Sequence, residues 1–397
     1  MMHTDSNCSD GCYLEELLTT LFDSGGSDLH IAPDHRPLFR IDGRLQASDA
    51  FPTNISAEQV EAFANKLLGD DALPATQDSG SVDGAVSLSE DKRFRYNIYQ
   101  RLPGFAIAIR RLESRFRSLG ELGLPASLLN WCDLSDGLVL VAGPTGSGKS
   151  TTLATFIDHI NRSRAAHIIT IEDPVEYLHI SHKGRIDQRQ IGTHAPDFQA
   201  ALISSLRQDP DVILVGEIRE RETIRTALTA AETGHLVFAT VHAPDCAGAI
   251  QRISSVFPAD EQTGILRQLS MNLRGVLTQH LVPSDGPAAV KPGRGMGKRP
   301  RVAISEVLQI TPAAANLIAR GQFQNLYSFM ETGSKYGMQT LEECLLKWVR
   351  SGFLQRSTAL ACTRNPKVLE QRFERELSHS HVASINNGNR PHRRLKN

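Results

Sequence analysis

Eight residues, Gly143-Pro144-Thr145-Gly146-Ser147-Gly148-Lys149-Ser150, follow the pattern G-x-x-x-x-G-K-[ST]. An apolar run from Gly137 to Ala142 leads into them, and Leu153, Phe156, Ile157 and Ile160 recur behind them at helical spacing. Strand, glycine loop and helix form the context in which this pattern holds phosphate. The glycines let the chain curl so that successive N–H groups face the β- and γ-phosphates of ATP, and the helix N-terminus adds its dipole. In such a loop Lys149 bridges the two phosphates and Ser150 ligates Mg²⁺. Thr151 completes the candidate nucleotide-binding set.

Two further strand ends carry acids. The run Asp211 to Glu217 is apolar until it closes on Glu217, with Gly216 where an Asp would be expected to touch the metal. That leaves Glu217 to polarise the attacking water, directly or through a water of the Mg²⁺ shell. Ile168 to Tyr177 places Glu172, Asp173 and Glu176 together, and Pro174 stops the strand there. One of these acids suits a general base and the others suit Mg²⁺ held through water; for Asp173, loop solvation is the competing reading. His235 and His242 bracket the apolar run Leu236 to Val241. Either histidine suits sensing of the γ-phosphate or Mg²⁺, and either suits plain packing. Arg93, Arg95, Arg110 and Arg111 cluster in the first third of the chain, as solvated or paired side chains or as fingers reaching a neighbouring subunit's ATP.

The elements that must position these groups divide in two. Leu14, Leu17, Leu18 and Leu21 predict a helix, Leu29 to Leu45 predicts short strands, and 58–68 predicts a second helix. Ser81 to Leu88 and Arg93 to Arg111 alternate as strands, with Gly104 between two of them, so residues 1–112 read as an α+β domain. A linker, 113–124, follows. Strand candidates at 138–142, 168–172, 212–217, 236–242 and 302–307 alternate with helices, the pattern of a mostly parallel α/β sheet covered on both faces. Pro283 to Arg301, rich in Gly, Pro and basic residues, reads as a surface loop. Thr340-Leu-Glu-Glu343 is a capping box opening C-terminal helices that end the second domain, 125–365. The tail, 366–397, reads as partly disordered.

Composition narrows the partners. The formal net charge of the 397 residues is −1, so no nucleic-acid partner is expected. No apolar run is long enough to span a bilayer, and Met1 to Asn7 lacks the order of a signal peptide, which points to the cytoplasm. The 6 cysteines form no C-x-x-C pair, so neither zinc nor disulfides are expected.

The phosphate loop, the acid box Ile171–Tyr177, the glycine-bearing strand Asp211–Glu217 and the block Thr229–His242 together resemble one family. It is the family of hexameric ATPases that drive type II and type IV secretion systems and type IV pili. The likeness runs from about Leu14 to Leu360 and includes Ser27–Ile31, Arg93–Asn97, Val256–Ala259 and Gly337–Leu341. The resemblance implies a PAS-like N-terminal domain, a RecA-like ATPase domain and a homo-hexameric ring with ATP between domains and at subunit contacts. It implies Glu176 as catalytic acid, Glu217 as the acid of the second nucleotide motif, and His235 and His242 as active-site histidines. Arg95 and Arg110 would approach phosphate. The partner would be an inner-membrane platform protein, with membrane contact only through it. The pilus-retraction branch is the most similar. Ala314 to Ile318 lacks an arginine found in that branch, and the 283–301 loop and tail are additions, which leaves open a secretion machine of the Dot/Icm or conjugation kind. A non-hydrolysing ring subunit is disfavoured by Lys149, Glu176 and Glu217.

Overall fold

The computed structural model describes residues 10–41, 43–68, 80–89, 92–102, 104–112, 115–289 and 301–375. Helix α1 (Asp10–Asp23) buries Leu14, Leu17, Leu18 and Leu21 on one stripe, as their spacing predicts. They pack with Phe63 of α2 (Ala57–Leu68) against Leu29, Phe39, Ile107 and Ile109. These last residues belong to an antiparallel sheet of β1 (Asp28–Ile31), β2 (Leu38–Ile41), β3 (Arg44–Ala47), β4 (Ser81–Ser87), β5 (Arg93–Gln100) and β6 (Phe105–Arg111). The strand order is β3-β2-β1-β6-β5-β4. Pairing in register sets Arg95, Arg110, Asp28 and Arg40 in one line across four strands.

A connecting stretch then docks on the second core. A one-turn helix, Leu119–Leu122, is opened by a capping box between Ser118 and Glu121, and Leu119 and Leu124 are buried with Leu128 and Trp131. The second sheet holds β7 (Gly137–Ala142), β8 (His167–Glu172), β9 (Arg185–Gln190), β10 (Val212–Val215), β11 (Leu236–Val241), β12 (Leu273–Pro283) and β13 (Arg301–Gln309). Its order is β13-β12-β7-β11-β10-β8-β9, parallel except for the β12–β13 pair. Helix α3 (Lys149–Ser163) covers one face, with Leu153, Phe156, Ile157 and Ile160 inside. The other face is covered by α4 (Phe198–Ser205), α5 (Arg221–Glu232), α6 (Cys246–Ser255), α7 (Ala259–Asn272) and α8 (Pro312–Ala319).

The expected parallel sheet is therefore present, with two strands added. β9 is short and polar, an edge strand with no apolar alternation to mark it. β12 follows α7 without a break, so its start is hidden in the apolar pattern of the helix. Pro283 pairs with Arg301, which makes the basic stretch the connection of a β12–β13 hairpin; its residues 290–300 lie outside the described ones. The capping box of Thr340 and Glu343 opens α9 (Leu341–Arg350), followed by α10 (Arg356–Cys362). The reading of 366–397 as tail needs correction at its start: 366–375 is helical, and Leu369 and Phe373 are buried against Leu345 and Leu354. Apolar residues at i and i+4 give this helix a face to bury.

Candidate nucleotide site

Register brings the chemistry to one edge. Val241 lies opposite Ala142, and Val215 lies between Ala239 and Ile171, so β7, β11, β10 and β8 end nearly flush. In an open parallel sheet this carboxyl edge is where ligands bind. From β7 the chain enters the loop 143–148. Gly143, Gly146 and Gly148 have φ of 142°, 76° and 91°, backbone that side chains disfavour. Helix α3 starts with Gly148 as N-cap and no side chain capping it. Its first N–H groups are thus unspent, as an anion site requires.

Lys149 turns back over the loop and donates to the carbonyls of Gly143 and Pro144, each at 3.0 Å. Burial lowers its pKa, while Glu217 and Glu176 pull it up and Arg219 pushes it down. Both predicted acids therefore stand within the field of the lysine. Glu217 Oε1 receives Arg219 Nε and also lies 3.2 Å from His242 Nε2. Burial and the Lys149 charge depress the pKa of His242, so the imidazole is neutral at neutral pH and its Nε2–H donates to Glu217. Thr240 Oγ1 donates to the Gly216 carbonyl and fixes the turn beneath Glu217. A crevice of about 360 Å³ opens here between Thr145, Glu217, Arg219, His242 and Arg252.

The acid box turns through a cis Asp173–Pro174 peptide. Glu172 is half-buried; Thr170 Oγ1 donates to it at 2.7 Å, and burial raises its pKa. It lines a small cavity with Ser150, Thr170, Tyr177 and Thr240. Asp173 is exposed. Tyr177 shares a 3.0 Å hydrogen bond with Thr151, tying the box to α3.

Three predicted groups stand elsewhere. His235 precedes β11 at the amino edge of the sheet, where its Nδ1–H donates to the Ala230 carbonyl at 3.0 Å. The six residues of β11 separate it from His242, roughly 20 Å at strand rise. The expectation of His235 at the active site therefore fails within one chain, because residues flanking a strand lie at opposite ends of it. Arg95 pairs with Asp83 at 3.3 Å and Arg110 with Asp28 at 2.8 Å, both on the first domain's sheet. Neither engages the phosphate loop of its own chain.

The arginine that does cross the domain boundary is Arg93, 6% exposed. It donates to the Glu176 carbonyl at 3.0 Å and to Ser87 Oγ at 3.2 Å. Sequence reading grouped it with its neighbours and missed this contact, since strand alternation sends Arg93 and Arg95 to the same side but not to the same depth. Arg219 and Gln279 were missed altogether. Gln279 is a polar residue inside an apolar strand, 2% exposed, which is the signal that would have found it.

The family described as type II/IV secretion system protein matches residues 10–361. The type IV pilus retraction ATPase PilT of Pseudomonas aeruginosa is 39% identical over 354 residues, covering 89% of this chain and 99% of that protein. A twitching motility protein of Neisseria gonorrhoeae is 40% identical over 333 residues, 84% of this chain and 86% of its own. The crystal structure of the pilus retraction motor PilT with bound ADP superposes with a TM-score of 0.81 at 36% identity, over 90% of this chain and 98% of that one. The family match over residues 10–361, the 39% identity to PilT and the fold shared with the retraction motor over 90% of the chain place this protein, with its phosphate loop and facing acid, in the type II/IV secretion system protein family.

Proposed function

We propose that the protein is a Mg²⁺-dependent ATPase that works as a homo-hexameric ring in the cytoplasm, at the base of a type IV pilus, and powers retraction of the fibre. The observation that carries this reading is the convergence of Lys149, Glu217 and His242 at one sheet edge, in a chain alike throughout to a retraction motor. The first domain takes the PAS-like role and the second the RecA-like role. An inner-membrane platform protein is the partner that receives the motion.

The residues suit the ligands. No side chain caps the N-terminus of α3, Lys149 rests on carbonyls that a phosphate replaces, and Ser147 Oγ is buried without a partner among the described residues. The polar side chains beside Ser150 are the hydroxyls of Thr170, Tyr177 and Thr240, the Glu172 carboxylate and the His179 imidazole, and the oxygen donors among them suit a hard cation. Ser150 would hold Mg²⁺, with Glu217 acting through water, and the ion would screen phosphate charge and polarise the group being transferred. Lys149 leaves Gly143 and Pro144 to take the phosphate oxygens. Glu217, oriented by His242 and Arg219, accepts a hydrogen bond from the attacking water. Glu176, held through its carbonyl by Arg93, sets the acid box against the same space. Arg95 and Arg110 serve a neighbouring subunit's phosphates, exchanging Asp83 and Asp28 for them.

Replacing Lys149 by Ala at the native locus tests the reading. Excess surface pili without twitching is the expected outcome. Bald cells would make it an assembly motor. Unchanged pili with lost secretion or plasmid transfer would move it to a secretion machine.

A further inference from the structure

Strand β12 lies beside β7, with Thr278 opposite Ala142, and so runs directly under the phosphate loop. Gln279 is the residue that meets the loop. Its Nε2 donates to the Ser147 carbonyl at 2.7 Å, and its Oε1 accepts from Thr152 Oγ1 at 2.9 Å. Only this orientation of the amide serves both partners, because a carbonyl cannot donate. One side chain therefore spans the loop apex and the first turn of α3. The main chain of Gln279 closes in as well: a Cβ on Gly143 would stand 2.2 Å from the Gln279 carbonyl oxygen.

The bond to Ser147 has a directional consequence. In a trans peptide the C=O and N–H point opposite ways. Tying the Ser147 carbonyl to β12 turns the Gly148 N–H away from β12, to the open side of the loop. Gly148, at a φ of 91°, opposes a flip of this peptide very little. A flipped peptide would present an oxygen to the phosphates where an N–H belongs. Thr152 holds the other end of the amide, so the glutamine cannot follow the loop if the loop moves.

We propose that Gln279 is a positioning residue for nucleotide binding: it locks the Ser147–Gly148 peptide so that the loop is shaped for phosphate before phosphate arrives. The inference rests on the nucleotide-site reading above. Because the preformed loop serves ground state and transition state alike, its loss weakens binding and leaves the chemical step nearly intact.

The test uses the full-length protein and two variants, Gln279→Met and Thr152→Val. Gln279→Met keeps the volume and removes both bonds. Expected is a roughly tenfold rise in the Kd of ADP, in the Kd of pyrophosphate and in the KM for ATP, with kcat within about twofold, as the loss of the loop-holding bond to Ser147 implies. Amide hydrogen exchange of 143–149 should quicken in the nucleotide-free variant, with the rest of the sheet unchanged. Thr152→Val should shift the same quantities in the same direction by less, and it decides the matter if Gln279→Met does not fold. Wild-type Kd values in both variants, or a fall in kcat at constant KM, would overturn the proposal. If Lys149→Ala also leaves pyrophosphate and ADP binding untouched, the nucleotide-site reading itself has failed; binding lost only there would fault Gln279 alone.

Discussion

Two buried groups, His179 and Glu306, change stability in opposite directions as pH falls, and substitutions should unmask them. His179 stacks on Phe116 at 4.7 Å between ring centroids, and its Nδ1 is buried without a partner among the described residues. Burial brings its pKa from 6.5 to about 4, with Asp158 resisting. Glu306, 5% exposed on β13, is pushed by burial from 4.5 to about 7, against the Cys246 N–H and Arg364 and aided by Asp245 and Glu342. From pH 6.5 down to about 4 the unfolded chain protonates His179 and the folded chain does not, so this group removes stability as pH falls. From about pH 7 down to 4.5 the folded chain protonates Glu306 and the unfolded chain does not, so that group adds stability as pH falls. Each slope is about 1.36 kcal/mol per pH unit. Between pH 6.5 and 4.5 the two nearly cancel in the wild type. His179→Phe, which keeps the stack, should gain about 3 kcal/mol over this window relative to wild type. Glu306→Gln, which keeps an acceptor for Cys246, should lose about 3 kcal/mol, so the variants diverge by roughly 5 kcal/mol. Glu172 titrates alike in all three proteins and drops out of the comparison. Urea unfolding of the nucleotide-free protein at several pH values measures this. Parallel stability curves for the two variants would refute the reasoning.

Three more outcomes follow from the geometry. Gly143→Ala sets a methyl 2.2 Å from the Gln279 carbonyl oxygen at a φ of 142°; ADP affinity by titration calorimetry should fall by ~100-fold or more, with the fold retained. Arg93→Met strips the donor from the Glu176 carbonyl and from Ser87; a loss of about 1–3 kcal/mol should appear as a lower melting temperature, with kcat reduced and ADP affinity unchanged. Glu217→Gln removes the acid that His242 and Arg219 hold; phosphate release should slow by about 10²–10⁴-fold while ATP remains bound, and turnover near wild type would move the water-positioning role to Glu176.

The phosphate loop, the first helix and the second capping box were legible because each depends on local rules. Glycine spacing dictates backbone that other residues resist, Leu14 to Leu21 repeat at helical period, and Thr340 caps a residue three positions on. The strands leading to Glu217 and to the acid box that begins at Glu172 were legible too, since apolar runs closing on acids mark themselves. What the sequence could not order was depth and edge. His235 and His242 are equivalent by spacing, yet strand direction puts His242 at the phosphate-loop edge and His235 across the sheet. Arg93 and Arg95 differ by one strand period, yet packing against the second domain buries the first and leaves the second with Asp83. Gln279 lies 127 residues from Thr152, and only the lateral pairing of β12 with β7 brings them into contact. Local sequence determined which elements form and which residues build the glycine loop. The tertiary structure decided which polar side chains share the site, because that depends on strand order and burial, and both are set by contacts far apart in the chain.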